Sequence, residues 1–574
     1  MPTYDLVIKS GTVIDGLRTP RYKADIGIAG GKIVSIGRID ASDAAEVVDA
    51  SGKIVAPGVV DLHTHYDSQV FWDPWCTMSG WHGVTSVVIG NCGFGFAPCK
   101  PEDRERAMLS LSRNEAVPMK TMQAGMPWDW VTFPEFLESV DRTPKGVNVM
   151  AFVPLAPLYA YVAGVDQTKA NRVTDAELDE MCRLLIEGIE AGGCGWSAQI
   201  AGELGNVQLD FDGTPMVTDC MTDREVTAFA RALGSVGRGT VQLTGSLDVS
   251  ALIARESGRP IIWNALLADG ALNQHGAGEY AHRDALKQLA YYNEEEGLRI
   301  YAQALTTNFV SEFTFEDYNL LDTIPCWKEA LLGTVEEKQA KLADPERRKA
   351  MRANVDERGG LFGSGYVMND IKVNWISSDA PNAQEIKDRY EGWTIGEIAA
   401  REHKHPIDAM LDIAVAGDLK VGFATQMIVT PPESMKEIAT SPVALPGVSD
   451  GGAHTKFVTT ARYPTELIAY WVREHEIMSL EEAHWRLSYY PAVAAGLKDR
   501  GYLREGAPAD VIVYDYERLD SGPQERLWDY PGGEMRLVQK AVGYDRIIVN
   551  GRTTFIDGEC TDATPGKLLR HGTD

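Results

Sequence analysis

Two histidines stand one residue apart, His63 and His65, in the stretch PGVVDLHTHYD at 57–67. Side chains two apart in a strand project to the same face. The two imidazoles therefore come together at the end of a short apolar run, where they can share one metal ion. Cys92 lies in GNCGFGFAP at 90–98. A thiolate ligates zinc and can bridge two ions, although a cysteine is more commonly a small buried apolar group. Asp450 lies in GVSDGGAH at 447–454. A carboxylate in that setting can bind a metal through one oxygen and take a proton from water with the other. Its plainer reading is a helix N-cap. His454, four residues on, is expected on the same rim.

Those groups need elements that bring them together, and the chain supplies a rhythm of strands and helices. Continuous apolar runs fall at 84–93, 147–157, 193–199, 239–245, 259–265, 297–304 and 441–450, alternating with helical patterns. With the strand that carries His63 and His65 they number eight. Continuously apolar strands belong to a parallel sheet covered on both faces, and eight is the count of a closed (β/α)8 TIM barrel. The active site of that fold lies at the strand C-terminal ends, which is where His63, His65, Cys92 and Asp450 fall. The remaining histidines carry less weight. His403 and His405 precede Pro406 in a loop-like stretch, and His275 and His282 follow strand six.

The flanks read differently. Residues 3–56 are short strands with tight turns at Ser10-Gly11 and Gly30-Gly31, and β character returns after residue 500. The two chain ends, 1–56 and 500–574, are expected to form one small β-sandwich beside a barrel at 57–499. Residues 306–440 separate strands seven and eight. That is far longer than an ordinary connection, and it predicts a lid over the site.

Composition bounds the function. The chain has 574 residues, 44% of them hydrophobic and 24% charged, with a net charge of −27. Such acidity disfavours nonspecific nucleic-acid binding. No apolar run approaches the ~20 residues of a membrane helix, and no signal-peptide pattern opens the chain. The eight cysteines have no framework spacing, which points to a reducing cytoplasm. The expected partner is a small molecule, and a homo-oligomer is left open.

Taken together, these segments resemble the amidohydrolase superfamily, in particular the N-acyl-D-amino-acid deacylase (D-aminoacylase) group. The matching stretches are YDLVIKSGTVIDG, PGVVDLHTHYD, HGVTSVVIGNCGFGFAP, SDGGAH, GAPADVIVYD and IIVNG, which span nearly the whole chain. The resemblance implies zinc, or another divalent metal, on His63, His65 and Cys92, with Asp450 as general base and acid. It also implies attack of an activated water on an acyl carbonyl. This chain departs from the group on strands five and six. Where D-aminoacylases carry two metal-ligating histidines, it has Gln242 or Thr244 and Trp263 or Asn264, and the lysine that holds a substrate carboxylate has no match. One ion on His63, His65, Asp450 and Cys92 is what these residues allow, with two ions as the alternative. Gln242, Asn264 and His454 are candidates for the rim. The reading is a metal-dependent C–N amide hydrolase, nominally a deacylase of N-acyl-D-amino acids. The alternatives are a hydrolase of cyclic amides (hydantoin, imide or diketopiperazine) and a barrel that only binds or assembles.

Overall fold

The structure is a computed structural model that describes residues 2–202, 209–268, 281–317, 321, 324–358 and 368–572. Eight short parallel strands organise it: β1 (Val59–Asp61), β2 (Val84–Ile89), β3 (Asn148–Ala151), β4 (Gly195–Ile200), β5 (Thr240–Gly245), β6 (Ile261–Leu266), β7 (Ile300–Leu305) and β8 (Ala444–Gly447). β1, β2 and β3 form one sheet, and β4 to β8 follow one another in a second. The arcs meet where Val153–Pro154, just beyond β3, pairs with β4. On the other side an isolated parallel bridge joins Thr64 to Gly451. The ladders are thus two arcs joined by short bridges, not one unbroken sheet.

The strands are apolar throughout because both faces are buried. Val87 and Ile89 join the large core under the helices, whereas Val88 joins an inner cluster with Val60, Leu62, Ile262 and Leu445. Alternate side chains point to opposite faces. The inner row therefore runs from Ile262 to Asn264 on β6 and from Tyr301 to Gln303 on β7. It is apolar at the start of these strands and polar toward their C-terminal ends. That change of character is the first structural sign of a site.

Both chain ends enter one nine-stranded sheet. Ile54–Pro57 pairs antiparallel with Val511–Tyr514, so the residues that lead into β1 are clamped by the C-terminal part of the chain. Val511 and Val513 face a core of the sheet's own, while Ile512 and Tyr514 face the main core. Asp510, buried beside this junction, accepts from Asn550 N–H at 2.7 Å, from Asn148 Nδ2 on β3 at 3.1 Å and from the Arg500 guanidinium.

The long segment between β7 and β8 builds a core of its own. Phe309–Phe313, Val421–Ile428 and Lys372–Ile376 form an antiparallel sheet, with Phe315, Trp327, Ile407 and Phe423 buried around it. A second feature had no sequence expectation. Strands Asp520–Tyr530 and Glu534–Val542 form a hairpin separate from the nine-stranded sheet. Its Arg526 pairs with Glu312 of the long segment, and its Tyr530 hydroxyl donates to Gln69 Oε1 at 2.7 Å. No helix among the described residues is long and apolar enough to cross a membrane.

Candidate metal centre

His63 and His65 emerge where β1 ends, with their rings edge to face and centroids 5.5 Å apart. Cys92 follows β2 in a left-handed conformation, φ 55°. The turn that aims it needs Gly90, at φ 79°, because a Cβ there would lie 2.7 Å from the Phe152 carbonyl oxygen. The donor atoms of His63, His65 and Cys92 all lie within 4.8 Å of one another. Cys92 Sγ is 3.5 Å from His63 Nε2. Asp450, just past β8, places Oδ1 at 3.1 Å from His63 Nε2 and 3.8 Å from His65 Nε2. A tetrahedral zinc with ligand bonds of about 2.0–2.3 Å separates its donors by roughly 3.3–3.8 Å. The spacings from His63 Nε2 to Cys92 and Asp450 are near that range, and two imidazoles, a thiolate and a carboxylate are donors zinc accepts. The residues present fit such an ion.

Neutral side chains surround this set. Gln303 Oε1 lies 3.0 Å from His63 Nδ1 and accepts its proton when Nε2 faces a metal. Asn264 Nδ2 lies 2.6 Å from the same nitrogen and 3.3 Å from Thr244 Oγ1. Asn264 Oδ1 is buried with no hydrogen-bond partner among the described residues. Exchanging that amide's O and N would offer Nδ1–H a second acceptor. Gln242 Oε1 accepts the Cys92 backbone N–H at 2.5 Å, and Thr244 Oγ1 lies 3.3 Å from Cys92 Sγ. Ser449 Oγ donates to the His63 carbonyl at 2.7 Å and ties the end of β8 to that of β1. Opposite them, Glu115, at the end of helix Arg104–Glu115, places Oε1 4.0 Å from His65 Nε2 and Oε2 3.4 Å from His454 Nε2.

Burial shapes the charges. It disfavours the His63 cation, yet the adjoining Cys92 and Asp450 raise its pKa well above the imidazole norm. Burial, then the charge of His63, pushes His65 down to about 3, so His65 is neutral at working pH. Asp450 is half-buried, and His63 holds its carboxyl below the ordinary range despite the desolvation. In the metal-free protein His63 is therefore the group whose proton a metal must displace. Zinc affinity should rise with pH and binding should release protons. Titration with a zinc indicator across about pH 6 to 8 checks this; an affinity that does not change with pH would contradict it.

The structure gathers His63, His65, Cys92, Asp450, Gln242, Asn264 and His454 in one place. It puts Asn264 rather than Trp263 toward His63, since the Trp263 indole donates instead to the Gly245 carbonyl at 2.7 Å. His282 lies 3.0 Å from Glu437, and His403 and His405 cap helices of the long segment. His275 lies outside the described residues. Two neighbours were not foreseen. Gln303 had a signal, a single amide inside the apolar run YAQAL. Glu115 had none, being one more charge near a helix end.

Comparison with known proteins decides the family. The profile of the Amidohydrolase family matches residues 46–155 and 380–559, half of the chain. The chain belongs to the amidohydrolase family. It is a hydrolytic enzyme that acts on amide bonds. An N-acyl-D-glutamate deacylase from Alcaligenes xylosoxydans xylosoxydans is 26% identical, over 99% of this chain and 96% of its own length. Two solved structures share the fold of this amidohydrolase. One is a D-aminoacylase described by its binuclear metal centre, with TM-score 0.65 and 21% identity over 99% of this chain and all of its own. The other is the N-acyl-D-glutamate deacylase of Bordetella bronchiseptica, complexed with zinc and a phosphonate mimic of the tetrahedral intermediate. Its TM-score is 0.64, with 22% identity over 99% of both chains.

Proposed function

We propose that this amidohydrolase is a zinc-dependent deacylase of N-acyl-D-amino acids. The observation that carries the reading is the convergence of His63, His65 and Cys92 within 4.8 Å, with Asp450 beside both imidazoles. The residues that would hold the ion are His63, His65, Cys92 and Asp450. When bound, zinc supplies Lewis acidity toward the acyl carbonyl and toward water.

The rest is the work of the chain. Asp450 takes a proton from the attacking water as the carbon–oxygen bond forms, and delivers it to the amide nitrogen as the carbon–nitrogen bond breaks. Gln303 fixes the ring of His63 through Nδ1. Gln242, Thr244, Asn264 and Gln303 leave strands five to seven without an anionic or imidazole ligand, which supports one ion rather than two. The D-aminoacylase of known structure bears on this, since its binuclear centre is described by one-metal activation and second-metal attenuation.

The same reading takes the eight parallel strands as a (β/α)8 barrel at 57–499, and the terminal sheet, 1–56 with 500–574, as a β-sandwich. Residues 306–440 act as a lid. The relatives' names support a D-configured N-acyl substrate. A panel of N-acyl-D-amino acids, their L-enantiomers and cyclic amides tests it. Release of free amino acid from the D series, and little from the rest, is expected. Turnover confined to the cyclic amides would overturn the deacylase reading and leave a cyclic amidase.

A further inference from the structure

Strands Val511–Tyr514 and Tyr544–Val549 pair directly in the terminal sheet. The hairpin Asp520–Val542, which lies between them in sequence, is therefore an excursion that leaves that sheet and returns to it. Its first strand is polar and largely uncovered, so burial of its own apolar surface does not account for it. What it reaches is the loop after β8. We propose that the hairpin holds Asp450 in its working position, with Gln539 as the positioning residue, an inference that rests on the reading of Asp450 as general base.

That loop needs holding. Val448 (φ 54°), Asp450 (φ 49°) and His454 (φ 48°) are all left-handed, and none is glycine. Residues with a side chain rarely adopt that conformation, and it persists only where the surroundings over-determine it. On the metal side Ser449 Oγ donates to the His63 carbonyl at 2.7 Å, and His65 N–H donates to the Gly451 carbonyl, also at 2.7 Å. On the far side the hairpin supplies the ties. Leu537 N–H donates to the Thr455 carbonyl at 2.7 Å. Thr459 Oγ1 donates to Gln539 Oε1 at 2.8 Å, and accepts from Arg462 Nη1 at 3.0 Å and Gln524 Nε2 at 3.2 Å. One donated and two accepted bonds use the whole capacity of a hydroxyl, so this side chain has a single orientation. The next residue, Thr460, donates its hydroxyl to the carbonyl of Ser449 at 2.7 Å, one residue before Asp450.

Gln539 is itself fixed. Its Nε2 donates to the Gly522 carbonyl across the hairpin at 2.8 Å, which leaves Oε1 as the acceptor for Thr459, and its own carbonyl accepts from His82 Nε2 at 2.7 Å. Farther along the hairpin Arg526 pairs with Glu312, whose backbone N–H donates to the Phe457 carbonyl at 2.9 Å. The loop is thus gripped from outside at Thr455, Phe457 and Thr459. The path from Gln539 through Thr459 and Thr460 ends on the peptide that carries Asp450.

Steady-state kinetics on the zinc-loaded enzyme, with whichever amide it hydrolyses best, tests this. Gln539→Ala and Thr459→Val should each lower kcat by roughly ten- to a hundredfold, the scale of an ångström-sized misplacement of a catalytic group, with KM and zinc content held. Thr459→Ser keeps the hydroxyl and should keep the rate. The double variant Gln539→Ala/Thr459→Val should fall no further than either single one, because both break the same contact. A hairpin that served stability alone would lower the melting temperature and leave kcat per zinc-loaded chain unchanged, and that result would overturn the inference. So would a loss in Thr459→Ser equal to that in Thr459→Val. Should Gln539→Ala fail to fold, the two Thr459 variants decide, since valine keeps the shape of threonine. If no amide is hydrolysed, the readout becomes release of zinc to a chelator, because Asp450 belongs to the proposed ligand set. Faster release from Gln539→Ala and Thr459→Val than from the wild type and Thr459→Ser upholds the positioning role without the deacylase reading, and equal release from all four overturns it.

Discussion

Asp450→Asn should reduce turnover on the order of a hundredfold or more, the typical loss when a general base is removed. Asparagine keeps the shape and one carbonyl oxygen, so the melting temperature should hold and zinc should still bind. What the variant lacks is a group that can accept the water's proton and pass it to the leaving nitrogen. The fall should appear in kcat more than in KM, because the proton moves only as the bonds change. Steady-state kinetics on an N-acyl-D-amino acid, with metal content measured on the same sample, checks it. Wild-type turnover in the variant would remove Asp450 from the mechanism. A loss of metal that matches the loss of rate would make it a ligand only.

Asp510→Ala should produce the largest loss of stability. Its carboxylate is shared by Asn550, Asn148 and Arg500, and these come from the terminal sheet, from β3 and from the segment before the final strands. Removing one partner of a buried ion pair leaves the other charge buried and uncompensated, at a cost of about 3–5 kcal/mol. The thermal midpoint should fall by several degrees, and Asp510→Asn should recover part of it. Arg183 makes shorter-range pairs with Glu180 and Glu187 in open solvent. Arg183→Ala should leave the midpoint unchanged, since exposed pairs are screened and pay side-chain entropy. Equal shifts for Asp510→Ala and Arg183→Ala would show that the buried network is not what joins the chain ends to the parallel strands.

Both sites show what a sequence discloses. His63 and His65 were legible because a two-residue spacing has one meaning at a strand end, and Asp450 because it closes the last apolar run. Cys92 could be placed because glycines on both sides mark a turn. Glu115 could not, because what brings it to His65 is the angle at which helix Arg104–Glu115 meets the strands, and no local pattern encodes that angle. Asn264 and Gln303 lie on apolar strands, but choosing the residue that faces inward needs the register, and β6 carries an irregularity between Asn264 and Leu266. The hairpin of 520–542 was missed for a related reason. Its first strand is polar and largely uncovered, and its second buries Arg536, Leu537 and Val538 in succession, so the alternation that reveals a half-buried strand is absent. The terminal sheet was readable because its strands bury Val511, Val513 and Ile548 against Leu6 and Ile8.

The most direct test of the account is the metal content of the purified protein after exposure to zinc, by elemental analysis, in the wild type and in Cys92→Ala. One zinc per chain in the wild type, and a marked loss in Cys92→Ala, is the predicted result, since the thiolate lies 3.5 Å from His63 Nε2 within the ligand set. A wild type that holds no metal after that exposure would contradict it.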